Sequence, residues 1–296
     1  MYWMKQKSSF ALAEPTRPRP GRSLSATARV GMLVGAGCAA IVMSGCLDDA
    51  TRKQMADQES VLAPLFKSAT TPKEAALWAA DPYDADKRAR GMLLLANAPF
   101  GGAEPYVALY RQHILDKDSN VQAAACRGLA LHGQPSDVEL IAPLTKSPEN
   151  LVRLEATRSL QRLYNPIAVP ALVERVSLDK ENEADIRAEA ASALGQYAEP
   201  KSMQALIAAL ADPSLMVNVN AHQSLKTLTG NDDLPAERRA WVQWLKGSST
   251  PFAGRRPYVY PVFWRESRWL DYVPFVGGPV PNETAANPAG FPDLSG

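Results

Sequence analysis

Three histidines, three cysteines and 31 acids are the groups in this 296-residue chain most apt to ligate a metal or relay a proton. Their spacing decides against most of that chemistry. His113, His132 and His222 fall in separate segments, with no histidine or cysteine three or four residues on. That is the spacing which would put two such ligands on one helical face. Cys126 sits among Ala124, Ala125 and Leu129, the setting of a small buried side chain, and no acid and base pattern beside it would generate a thiolate. No paired carboxylates, nucleophile constellation or metal spacing rises above chance, so catalytic, metal and cofactor sites are not expected.

Cys46 is different because of what precedes it. Residues 1–29 hold Lys5, Lys7, Arg17, Arg19, Arg22 and Arg29 against Glu14, and Val30 to Ser44 carry no charge. This is the order of a secretory signal. The apolar run is too short for a comfortable membrane span, which takes about 20 apolar residues. Its close, Met43-Ser44-Gly45-Cys46, resembles the lipobox of bacterial lipoproteins. The resemblance implies a signal peptide over 1–45, cleavage before Cys46 and acylation of that residue on both thiol and amine. Three acyl chains would anchor the protein far more firmly than one. Leu47, where an acid would retain an enterobacterial lipoprotein in the inner membrane, leans the expectation to the outer membrane, facing the periplasm. Removing six bases and one acid from 32 and 31 leaves 26 and 30, a net charge of −4. With bases and acids interspersed, nucleic acid is not the expected partner. Cys38 leaves with the signal and Cys46 is acylated, so Cys126 has no partner for an internal disulfide.

Residues 46–70 read as a tether. Thr71-Pro72-Lys73-Glu74 then has the hydroxyl, proline and glutamate of a capping box. Beyond it the chain repeats: Val121, Gln122, Ala125, Leu129 matches Val152, Arg153, Ala156, Leu160; Ile186, Arg187, Ala190, Leu194; and Val217, Asn218, Ala221, Leu225, with a weaker copy at Lys87, Arg88, Gly91, Leu95. Apolar residues at i, i+4 and i+8 share one helical face, and the small central residue admits a neighbouring helix. Five residues before the last four anchors stand Asp116, Ser147, Glu181 and Asp212, which read as helix N-caps, two of them followed by proline. Shorter apolar helices are expected over Tyr106 to Leu115, Val138 to Leu144, Val169 to Val176 and Met203 to Leu210. Each hairpin of a little over thirty residues is too small to stand alone, so the units must stack. The expected fold is all-α, an α-solenoid over 71–247.

This pattern is similar to HEAT repeats, including the PBS-lyase-like kind, over roughly residues 73–247. The resemblance implies that Arg88, Arg153 and Arg187 form a structural ladder with acids of adjacent repeats, not a binding site. Gln122 and Asn218 depart from the pattern where the arginine should be. HEAT-like hydroxylases carry His-Glu pairs, and this chain has none. Trp241 and Trp244, three apart, are expected to seal the end of the core. From 248 to 296 the chain reads as an extended tail rich in proline and aromatics, disordered from Gly277 on. Tyr258, Tyr260, Phe263, Trp264 and Trp269 are its candidate interaction residues: the rings either pack into the solenoid groove as a strap or recognise a partner. The functional expectation is a scaffold or adaptor for an unknown envelope protein or peptide, held to the membrane by its lipid. The competing reading is a lyase-type or cofactor-handling enzyme on the same fold.

Overall fold

Thr71 opens the ordered array: its hydroxyl accepts from the Glu74 amide at 3.2 Å while the Glu74 carboxylate accepts from the Thr71 amide at 2.9 Å. The computed structural model describes residues 71–260, 263–264, 281–283 and 285–294. The leader, the tether, Cys46 and Trp269 lie outside the described residues.

After α1 (Pro72–Ala79), five helical hairpins follow. Repeat 1 is α2 (Ala85–Ala96) with α3 (Glu104–His113), and repeat 2 is α4 (Ser119–His132) with α5 (Val138–Ile141). Repeat 3 is α6 (Asn150–Arg162) with α7 (Val169–Val176), repeat 4 is α8 (Ala184–Leu194) with α9 (Pro200–Ala209), and repeat 5 is α10 (Leu215–Thr229) with α11 (Arg238–Gly247). First helices pack on first helices, in the row α2, α4, α6, α8, α10, and second helices flank them in another layer. The molecule is an all-α solenoid.

The row is held by the recurring aliphatic, small and leucine positions. Val121, Ala125 and Leu129, their matches Val152, Ala156 and Leu160, then Ile186, Ala190 and Leu194, then Val217, Ala221 and Leu225 are each at most 1 % exposed. Burying a valine, leucine or isoleucine is worth about 1.5–3 kcal/mol, so this seam is the main source of cohesion. Close approach is needed between the layers of neighbouring repeats too: a Cβ on Gly128 of α4 would stand 2.6 Å from the ring of Tyr110 on α3.

The second helix of repeat 2 departs from expectation. Instead of running from Val138 to Leu144 it stops at Ile141 and tightens into a 3₁₀ turn, Ala142–Lys146. Pro143 has no amide hydrogen to offer the preceding turn. At the far end Trp241 is fully buried, donates its indole N–H to the Pro235 carbonyl at 2.9 Å and meets Trp244 edge-on.

Two strands, β1 (Phe263–Trp264) and β2 (Pro281–Glu283), pair antiparallel with Phe263 opposite Glu283. Residues 285–294, which composition marks as disordered, are instead docked on the solenoid. No described helix is long and apolar enough to cross a membrane.

Candidate functional site

Arg88, Arg153 and Arg187 hold equivalent places near the start of α2, α6 and α8, and each spans two repeats. Arg88 grips Asp116 with Nε and Nη2, both at 3.0 Å. Arg153 grips Glu181 at 2.8 and 2.9 Å, and Arg187 grips Asp212 at 2.8 and 3.0 Å. In each case Nη1 turns back to a carbonyl of its own repeat, that of Asp81, Ser147 or Glu181. A fork of two parallel charge-assisted bonds fixes orientation as well as distance.

This overturns the N-cap reading of the acids. The caps are Asp118, Glu149, Glu183 and Ser214, two residues further on. Asp116, Glu181 and Asp212 each accept from the amide at that next cap position and from the arginine of the preceding repeat. Burial works to raise the Asp116 carboxyl, but hydrogen bonds from Arg88, the Asp118 amide and His113 prevail and hold it at about 2. Against the same opposition from burial, Arg153 and Arg175 lower Glu181, and Arg187 lowers Asp212.

The face of the first-helix row in repeats 3 to 5 is occupied by the chain's own tail. Arg255 donates to the Gln196 carbonyl at 2.6 Å, and the Arg256 amide to the Thr227 carbonyl at 2.9 Å. Gly230, at φ +70°, ends α10 where the backbone of Gly254 passes so closely that a Cβ would collide with it. Tyr258 is only 5 % exposed and shares a 3.3 Å hydrogen bond with Ser192, whose hydroxyl also accepts from Gln161. Burial pushes the Tyr258 phenol well above its usual range. Tyr260 lies under the Arg162 guanidinium at 5.3 Å. The returning strand closes the strap: Tyr260 pairs with Ala286, and Ala289 exchanges backbone hydrogen bonds with Arg162 and Tyr164 at 2.8 and 2.9 Å. Phe291 sits edge-on to Tyr164 and beneath Arg255.

Of the candidate interaction residues, Tyr258 is thus consumed inside the molecule and Tyr260 is half covered. Phe263 and Trp264 are placed only as backbone. Beside Tyr258 a cleft of about 490 Å³ remains, lined by Arg158, Glu189, Ser192, Gln223 and Thr227 among others.

Among the described residues no reactive constellation gathers around these groups. Cys126 is fully buried, and burial raises its thiol far above the range of a nucleophile. His113 binds Asp116 at 3.0 Å, three residues on and already in the ladder. His132 and His222 meet the carbonyls of Ala96 and Leu234. Among the described residues no group of three or more His, Cys, Asp or Glu is placed to hold a metal.

Two family models agree with the architecture. Residues 108–184 match HEAT repeats and residues 186–212 match the PBS lyase HEAT-like repeat, so repeats of this kind run through the middle of the array. A search of curated proteins finds no match. Among solved structures the chain is similar to Escherichia coli YibA, at 16% identity over 77% of this chain and 82% of that one, TM-score 0.49. It is also similar to an engineered protein, at 21% identity over 52% of this chain and 77% of that one, TM-score 0.42. A Kap121p mutant is similar at 15% identity over 68% of this chain and 22% of that one, TM-score 0.41. HEAT repeats in general mediate interaction between proteins.

Proposed function

We propose that this protein is a scaffold or adaptor of the bacterial cell envelope, anchored through a lipid on Cys46 and facing the periplasm, which binds another envelope protein or a peptide. The observation that carries the binding role is the seating of residues 255–260. An extended segment with arginine and tyrosine fits the first-helix row through carbonyl acceptors and a buried ring socket at Ser192. A surface that holds such a segment in cis has the chemistry to hold one in trans. Anchoring rests on the charge order of the leader and the sequence before Cys46.

Two experiments address the two parts. Photo-crosslinking in the native envelope followed by mass spectrometry is expected to recover a consistent partner, and recovering none would count against the adaptor role. Cys46→Ser is expected to leave an uncut precursor or shift the protein to the soluble fraction. Normal processing with unchanged membrane retention would refute acylation.

A further inference from the structure

We infer that the junction between repeats 2 and 3 is a hinge, open where the ladder is interrupted and pivoting where the junction remains bonded; this goes beyond the adaptor reading and does not need it. The junctions of repeats 1 and 2, 3 and 4, and 4 and 5 each carry a forked arginine–carboxylate rung. At the remaining junction the arginine position is Gln122 and the acid position is Ser147. Both halves of the rung are missing together, and a cleft of about 570 Å³ opens there between the starts of α4 and α6. It is lined by Gln122, Ser147, Leu144, Pro148 and the cap residues Asp118 and Glu149.

The other end of the same junction is bonded. Asn165 donates to the Pro135 carbonyl at 3.0 Å, and Ser159 donates to the Cys126 carbonyl at 2.9 Å in the buried middle of the helices. Arg127 of α4 and Glu155 of α6 also approach to 4.0 Å across the junction, without the fork of a rung. On the outer layer Lys146 and Glu174 meet at 3.1 Å, but they are 62 % and 41 % exposed, a pairing that resists little.

A second, independent feature ends at the same place. The strap hydrogen-bonds to Arg162 and Tyr164 of repeat 3, to Gln196 of repeat 4 and to Thr227 of repeat 5. Toward repeat 2 its described residues offer the packing of Gly290 against Pro135. Repeats 3 to 5 are therefore bound by rungs and strap alike, and repeats 1 and 2 by the Arg88–Asp116 rung and a second fork from Arg111 to Asp137 at 2.7 and 3.1 Å. Among the described residues no such fork crosses the boundary between the two bodies. Packed interfaces with few directional ties are where hinge motion is absorbed. Opening and closing the cleft would change the curvature of the first-helix row, and so the surface offered to a ligand.

The test is double electron–electron resonance on the full chain, with spin labels on keto side chains introduced at exposed positions so that the native cysteines stay. A pair at Arg90 and Lys201 spans the junction; a pair at Leu151 and Lys246 lies within repeats 3 to 5. The spanning pair is expected to give a distance distribution roughly twice as broad as the internal pair, as for two bodies sharing a hinge. The double variant Q122R/S147D, which restores a rung, is expected to narrow the spanning distribution to the internal width. Equal widths in the wild type would overturn the hinge, as would an unchanged spanning width in the folded double variant. Should that variant not fold, the wild-type comparison decides alone.

Discussion

Repeats 1 and 2 and repeats 3 to 5 are built from the same hairpin, yet they are not held in the same way. Both bury a seam of aliphatic, small and leucine side chains. Among the described residues the strap hydrogen-bonds to the second group, whose last rung is also the better buried: Arg187 and Asp212 are 4 % and 2 % exposed, against 13 % and 10 % for Arg88 and Asp116. The difference teaches that in a stacked array the seam sets the order of the hairpins, while directional contacts decide which neighbours move as one body.

The largest effect should come from Arg187→Ala, which strands Asp212 as a buried charge and should lower unfolding free energy by about 3–5 kcal/mol. Arg88→Ala, in the wetter rung, should cost about 2 kcal/mol. Denaturant titration of both variants checks the ranking, and equal losses would break the contrast between the two groups. Tyr258→Ala empties the socket at Ser192 and should cost about 3 kcal/mol, with faster tryptic cleavage after Arg255. A variant as stable and as resistant as wild type would show that the strap adds nothing.

Acid should loosen the first group through Asp116. Its folded carboxyl is held at about 2, below its ordinary 3.8, so its stabilisation is fully present above pH 4 and lost as the pH falls toward 2. About 2 kcal/mol should disappear over that window, and Arg88→Ala should flatten much of the slope. The smallest effect is Thr71→Ala, about 1 kcal/mol from the opening cap, read as a lowered melting temperature.

The sequence and the structure agree most where information is local. The apolar face at i, i+4 and i+8 is visible in any single copy, and its recurrence at Val121, Val152, Ile186 and Val217 makes the solenoid legible. Asp116, Glu181 and Asp212 were open to misreading because an acid before a helix has the same local signature whether it caps or receives a distant arginine. What distinguishes the two is a residue 25–28 positions earlier. The joint loss at Gln122 and Ser147 takes on meaning only once that pairing is known. The order of residues 285–294 is harder still: proline, alanine and asparagine carry no signal for it, and it depends on the backbone edge at Arg162 and Tyr164. Cys126 reads the same in both, a small side chain within a helix face.

Native-state hydrogen exchange of the full chain, wild type against Tyr258→Ala, tests most directly whether the strap makes repeats 3 to 5 a separate body. The account predicts that protection in α8 and α10 falls about tenfold or more while that in α2 and α4 stays as it was. A uniform loss across all four helices, or no loss in any, would contradict it.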